Sequence, residues 1–319
     1  MLLKSADDKS KRLALLEDLQ QSRMLNPDQR KWLKDELFRL KAGIQGERDA
    51  AHYLNTYFKG GENHVILHDL RFIVDGETVQ IDHLIINKAF GFYLLETKNY
   101  SGNLQINEQG EFTAVYGDTR FGIPSPIEQS RRHEKLLRLL LESLEITGRV
   151  HKQPNFFHVV MLHPKAIITR PPAKTFDTRN VIKADQFPTW HKEFVDSLGA
   201  GTVLKAILNM RTMDTLQEWG EKLCRQHRPA DLLALPDFMQ PKAAAAPVVR
   251  QPTRAPQQAA PASPPAPTPV TSAPETTPAK RLVCAECGDK ISFAEGKFCW
   301  GNTRRFGGLQ YCREHQASR

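Results

Sequence analysis

Long apolar runs are missing from this sequence: none of its 319 residues lies in a stretch approaching the roughly 18 uninterrupted apolar residues of a membrane span. The N-terminus, MLLKSADDKSKR, lacks the apolar core of a signal peptide. A soluble, cytoplasmic protein with no membrane partner is the expectation. Cysteine is nearly absent until the tail. Cys224 stands alone, whereas Cys284, Cys287, Cys299 and Cys312 crowd into the last 36 residues, a clustering that in an intracellular chain favours metal over disulfides. Aromatic residues are missing between 241 and 280, where 11 of the chain's 21 prolines fall among alanines. Such a stretch has little to bury and predicts a disordered, semi-rigid spacer. Acidic residues are outnumbered as well. The formal charge of +8 and pI near 9.2 suit a polyanionic partner, although net charge speaks to association rather than to fold.

What remains is enough for a core, since 40% of the residues are hydrophobic. The first forty residues read as two amphipathic helices broken at Asn26-Pro27-Asp28, with Trp32, Leu33, Leu37 and Leu40 at helical spacing to pack on the next domain. GIQGERDAAHYLNTYF reads as a further helix with Glu47 in its first turn, a position that complements the helix dipole and by itself signals nothing. Strands follow in HVILHDLRFIV, TVQIDHLIIN and GFYLLETKN, with a fourth in NLQINEQGEFTAVY. A long helix from about Pro126 to Leu144 carries Gln129, Arg132 and His133 on one face. The continuous apolar run FFHVVMLHP predicts a strand buried on both faces. His163, at its end, reads as a core histidine rather than a site residue. The expected organisation is an N-terminal helical segment (1–43), an α/β domain (44–240), the spacer (241–280) and a separate C-terminal module (281–319).

In FGFYLLETKNYSG an apolar strand ends in two charges, Glu96 and Lys98, which two-residue spacing puts on one face of a sheet. An isolated E-x-K is ordinarily a solvated strand end. The preceding strand, TVQIDHLIINKAF, supplies a second acid, Asp82. If the hairpin loop centres on Ala89, Asp82 falls opposite Glu96 and Gln80 opposite Lys98. Carboxylates so paired have Cβ atoms roughly 4.5–5.5 Å apart and destabilise a sheet unless something offsets their repulsion. A divalent cation does so, because Mg²⁺ takes one or two carboxylates together with water and phosphate oxygens. A lysine on the same face adds positive charge where a phosphodiester gains negative charge during attack.

GERDAAHYL, QIDHLII, FGFYLLETKNYSG and PIEQSRRHEKLL together resemble the motifs of the NERD, or nuclease-related, domain, in the family's order and over about Gln45 to Leu162. The resemblance implies a restriction-endonuclease-like core, a mixed β-sheet flanked by helices, and a metal-dependent nuclease acting on nucleic acid, with DNA expected ahead of RNA and the choice between them left open. It implies five site residues: Glu47 as the helix acid, Asp82 and Glu96 as ligands of Mg²⁺ or Mn²⁺, Lys98 as the catalytic lysine, and Gln129 orienting water or phosphate. Thr97, between the last acid and the lysine, is expected to face away from the site. Lys98 either positions the attacking water or stabilises the charge at phosphorus, and one metal ion or two would serve. The alternative is a binding protein that keeps the fold without cutting.

In the tail, Cys284 and Cys287 form a C-x2-C knuckle and Cys312 with His315 a C-x2-H pair. Two such pairs suit a tetrahedral Zn²⁺ site. Cys299 is a fifth candidate, either a spare buried thiol or a replacement for one of the four. Residues 280–319 hold eight Lys or Arg against four Asp or Glu. With Phe298, Trp300, Phe306 and Tyr311 interleaved with Arg304 and Arg305, the module suits nucleic-acid contact or docking to a protein partner.

Overall fold

Asn26 starts a 31-residue helix. Its side chain accepts from the Gln29 N–H at 2.8 Å, the Gln29 carboxamide oxygen accepts from the Asn26 N–H at 3.0 Å, and Pro27 takes the first helical position. The computed structural model describes residues 1–100, 102–240, 283–292, 295, 298, 299, 302–307 and 309–317. The chain divides into two compact units, 1–244 and 245–319. The expected spacer at 241–280 lies outside the described residues.

In the first unit the elements run β1 (Leu2–Lys4), α1 (Ser10–Gln20), α2 (Pro27–Tyr57), β2 (His64–Val74), β3 (Glu77–Asn87), β4 (Gly91–Lys98), β5 (Asn103–Ile106), β6 (Phe112–Tyr116), β7 (Thr119–Ile123), α3 (Pro126–Ser143), β8 (Asn155–Leu162), β9 (Ile167–Thr169), β10 (Val181–Lys183), α4 (Phe187–Asp196), α5 (Ala200–Leu208) and α6 (Met213–Gln226). A six-stranded mixed sheet of order β1-β2-β3-β4-β8-β10 forms the centre, antiparallel through β2-β3-β4 and parallel elsewhere. Helices cover both of its faces. Leu137, Leu140 and Leu141 of α3 and Leu216, Trp219 and Leu223 of α6 bury one face. Ala50 and Leu54 of α2 and Phe187 and Trp190 of α4 bury the other. A second mixed sheet, β7-β6-β5-β9, packs Leu104, Ile106 and Phe112 against the β8 and β10 ends.

Three features depart from the sequence reading. The stretch read as a fourth strand is a hairpin, because Asn107 and Gly110 turn the chain between β5 and β6. MLLK forms a parallel edge strand on β2. No domain boundary falls at residue 43, since α2 runs straight through it. A glycine inside a helix costs about 1 kcal/mol relative to alanine. Here the apolar stripe continues across Gly43 and outweighs that cost, with Leu33 and Leu37 in a small core beside Leu16 and Met239 and with Ala50 and Leu54 on the sheet. The N-terminal helices therefore belong to the α/β unit.

The second unit is small. Among the described residues its core is Cys284, Ile291, Cys299, Phe306 and Tyr311, with short helices at Thr303–Phe306 and Arg313–Ala317.

Candidate active site

The β3–β4 hairpin turns through Lys88, Ala89 and Phe90, with the Phe90 N–H on the Asn87 carbonyl (3.1 Å) and the Gly91 N–H on Asn87 Oδ1 (2.7 Å). Phe90 takes the left-handed position, φ 61°, that closes a three-residue loop, and its ring is held against Trp219. The resulting register pairs His83 with Leu95 and Leu84 with Leu94. One step further Asp82 faces Glu96, where the ladder stops. Instead of a ladder bond, the Thr97 N–H donates to Asp82 Oδ2 at 2.7 Å.

Asp82 owes its position to a coordinated break in two strands. Val65 and Leu67 of β2 share a core with Leu70 and Phe72, and Leu84 and Ile86 of β3 share it with Val79 and Ile81. The two-residue alternation therefore skips once in each strand, between 67 and 70 and between 81 and 84. The skipped positions are Asp69 and Asp82, the gap between the His68–His83 and Leu70–Ile81 pairs. Asp69 adopts φ 53°, a conformation that aspartate tolerates better than most residues. Gln80 is drawn to it, donating to Asp69 Oδ1 at 2.8 Å, and the β3–β4 ladder stops at His83 and Leu95, short of the expected opposition of Gln80 and Lys98.

Lys98 lies on the same face as Glu96 and donates to Glu96 Oε1 at 2.6 Å and to Gln129 Oε1 at 3.1 Å. Gln129, on the first turns of α3 after the Ser125 cap, returns a bond from Nε2 to Glu96 Oε1 at 2.6 Å. One turn on, His133 Nδ1 stands 3.8 Å from Glu96 Oε2. Arg132, expected on that face, is exposed. Among the described residues, Asp82 Oδ1 and Glu96 Oε2 accept no hydrogen bond, so each carboxylate has one oxygen fixed by the protein and one free.

Glu47 reaches the same end of the sheet from α2. Gly46 makes this possible: a Cβ there would stand 2.7 Å from Asn99 Cβ, just beyond β4. The Asn99 Nδ2 donates to the Ala42 carbonyl across that contact.

Crowding of acids governs the electrostatics. Burial, then the charges of Glu96 and Glu47, push Asp82 well above the usual carboxylate range. Burial also raises Glu96 and Glu47, against the opposing pull of Lys98 and Lys9 respectively. For Lys98, burial pulls down, but the carboxylates of Glu96 and Asp82 outweigh it and hold the ammonium above the ordinary lysine range. Such a site favours added positive charge.

Sequence reasoning missed a layer beneath these residues. Thr97 faces away from the acids as expected, and its Oγ1 meets His83 Nε2 at 3.1 Å. His83 Nδ1 meets His68 Nδ1 at 2.8 Å, and His68 Nε2 meets Asn55 Oδ1 of α2 at 3.1 Å. The two facing Nδ1 atoms need one proton between them, which two neutral rings of opposite tautomer supply, and burial lowers both rings, His68 to about 4. The alternation of QIDHLII carries no signal for this chain of bonds, because His83 reads there as one more inward residue. His163, expected in the core, is instead half-buried, its Nδ1 accepting from the Lys165 N–H at 3.0 Å.

In the second unit, Cys284, Cys287, Cys312 and His315 offer ligand atoms that all lie within 4.8 Å of one another. Cys287 Sγ stands 3.8 Å from Cys312 Sγ, and His315 Nδ1 stands 3.6 Å from Cys284 Sγ and 3.2 Å from Cys312 Sγ. A tetrahedral Zn²⁺ with its usual bond lengths sets S···S edges of about 3.8 Å and S···N edges of about 3.5 Å. The set can bind zinc. Burial pushes the Cys284 thiol up, but the N–H groups of Cys287, Cys312 and Glu286 outweigh it and hold it down to about 6; the Asp289 N–H pulls Cys287 down, but burial and the Cys284 side chain outweigh it and hold it up to about 12, so one of the two sulfurs takes the charge and the other keeps the proton. Cys299 is fully buried and stands outside the cluster, its Sγ receiving the Tyr311 N–H and Gln316 Nε2 at 3.3 Å. Phe306 and Tyr311 are core, Phe298 is half exposed, and Arg305 lies over the Phe306 ring at 5.1 Å. Trp300 and the Arg304 side chain lie outside the described residues.

No helix among the described residues is long and apolar enough to cross a membrane. Neither the curated proteins nor the solved structures contain a match to the chain. The family model of the nuclease-related domain, NERD, matches residues 42–163, the segment that carries Glu47, Asp82, Glu96, Lys98 and Gln129.

Proposed function

We propose that the first unit is a Mg²⁺-dependent nuclease that hydrolyses phosphodiester bonds of nucleic acid. The observation that carries this reading is the pairing of two carboxylates, each with one free oxygen, beside a fixed ammonium: Asp82 and Glu96 with Lys98 Nζ 2.6 Å from Glu96. The donor set fits the ion, because free carboxylate oxygens in a site short of positive charge are what a hard cation takes. Asp82 and Glu96 would hold it, and Mg²⁺ supplies charge for the phosphate and a lower pKa for a bound water.

The protein's own groups divide the rest. Lys98 keeps its proton, so it serves as a fixed cation for charge building at phosphorus and not as a base. Gln129 holds Lys98 and Glu96 in one arrangement, its oxygen accepting from the first and its nitrogen donating to the second. Thr97 fixes one oxygen of Asp82 and thereby leaves the other to the ion.

The excess of eight positive charges suits a nucleic-acid substrate, and DNA is the expected one. In the second unit, Zn²⁺ at Cys284, Cys287, Cys312 and His315 would order a module whose core, among the described residues, is five residues. Its basic surface would capture substrate or a protein partner, and a tether between modules would raise the local concentration of whatever it holds. The test is incubation of purified protein with labelled single- and double-stranded DNA and RNA in Mg²⁺, Mn²⁺ or EDTA. Cleavage with either metal and none in EDTA is the expected result, and cleavage that persists in EDTA would refute the reading.

A further inference from the structure

Lys9 belongs to none of the motifs that pointed to the site, yet its ammonium lies between two of the acids there. Its Nζ is 2.7 Å from Glu47 Oε2 and 3.4 Å from Asp69 Oδ2. Asp69 is 4% exposed and is held from three sides, by Lys9, by Gln80 at Oδ1 and by the Asp7 N–H at Oδ2 (3.3 Å).

The local structure around Lys9 argues that this contact is what keeps a lysine there. Lys9 is the N-cap of α1, a place where Ser, Thr, Asp or Asn would each satisfy a free N–H, and its side chain makes no cap. It also sets a positive charge at the positive end of the helix dipole. Both effects work against α1. The segment is anchored just before Lys9: β1 pairs with β2, and Lys4 Nζ donates to the carbonyls of His68 (3.1 Å) and Asp69 (2.9 Å). Burial pulls Lys9 down, but Glu47 and Asp69 outweigh it and hold it above the usual lysine range, so its charge is permanent near neutrality.

Charge balance then limits what else can enter. Glu47 acts on Asp69, Asp82 and Glu96, Lys9 answers Glu47 and Asp69, and Lys98 answers Glu96 and Asp82, so these four carboxylates against two ammoniums leave a formal −2. One divalent cation cancels that charge. A second would leave an excess of +2 in a largely buried site, an unfavourable outcome where charges are weakly screened.

We propose that Lys9 is a built-in cation that fills the place of a second metal ion between Glu47 and Asp69 and restricts the site to one divalent ion. The inference rests on the reading of Asp82 and Glu96 as ion ligands. Lys9 is thus a positioning residue, which neutralises Glu47 and Asp69 without touching the substrate, and the N-terminal segment becomes part of the site's machinery.

The test counts Mn²⁺ bound to zinc-loaded full-length protein by calorimetry, with free Mn²⁺ followed by electron paramagnetic resonance. Wild type should bind one ion, and Asp82→Asn should lose it. Lys9→Ala and Lys9→Gln should bind two, with melting temperatures below wild type without Mn²⁺ that recover when Mn²⁺ is added. A count of two in wild type, or of one in both Lys9 variants, would overturn the inference while leaving the ligand reading intact. A wild type that binds no Mn²⁺ would instead overturn the ligand reading, and the inference with it. If neither Lys9 variant folds, the wild-type count alone decides.

Discussion

Thr97 holds Asp82 with its backbone and His83 with its side chain: the N–H donates to Asp82 Oδ2 at 2.7 Å, while Oγ1 lies 3.1 Å from His83 Nε2 on the other face of the sheet. One residue thus ties the acidic site to a buried chain of hydrogen bonds that ends on α2 at Asn55. Thr97→Val keeps the shape and the backbone N–H but leaves His83 Nε2 without its partner. Stability should fall by about 1–3 kcal/mol, the cost of an orphaned buried polar atom. Urea unfolding checks it, with Thr97→Ser expected to restore most of the loss. Equal stability of Thr97→Val and wild type would show that the bond to His83 contributes nothing.

Lys98→Ala and Asp82→Asn separate cutting from holding. A fixed cation that acts on developing charge should cost roughly 10²–10³-fold in turnover when removed, with substrate affinity changed far less. Single-turnover cleavage with Mg²⁺, set beside filter binding in EDTA, measures both quantities. Variants that lose affinity in step with cleavage would point to a binding site.

Stability should depend on His64. Burial, then the charges of His191 and the N-terminal ammonium, lower its ring to about 4 from an ordinary 6.5. Above pH 6.5 the ring is neutral in both states and its contribution is fully present. As pH falls below that, the unfolded chain takes a proton that the folded chain refuses, and stability declines until about pH 4, by on the order of 3 kcal/mol in all. Urea midpoints between pH 7 and pH 4 should therefore drop less steeply in His64→Gln than in wild type.

Zinc binding should follow the four clustered ligands and spare the fifth cysteine. Cys287→Ser is expected to lower zinc content from one ion per chain to near zero, as measured by mass spectrometry on protein purified with added Zn²⁺. Cys299→Ser should keep its zinc and lose thermal stability, because Sγ sits fully buried among the donors of Tyr311 and Gln316. Loss of zinc from Cys299→Ser would make that thiol a ligand.

Much of the site was legible because its spacing is local. A short loop about Ala89 and a side-chain period of two leave one register for β3 and β4, so the opposition of Asp82 and Glu96 follows from counting residues. Lys98 follows from Glu96 by the same period, Gln129 from helical spacing and the family's order of motifs, and the zinc set from two tight pairs of ligands. Counting stops where contacts become distant or where the backbone departs from the regular. The same arithmetic puts Gln80, two residues before Asp82, opposite Lys98, but the left-handed turn at Asp69 ends that alternation and takes its carboxamide away. Only the tertiary structure brings Lys9 to Glu47, 38 residues on, and runs α2 unbroken past Gly43 to deliver that glutamate. Sequence by itself determined which side chains are candidates for the chemistry, because hairpin and helix periods act over a few residues. The tertiary structure decided which charges oppose them, because burial and Coulomb energy depend on distance in space and not along the chain.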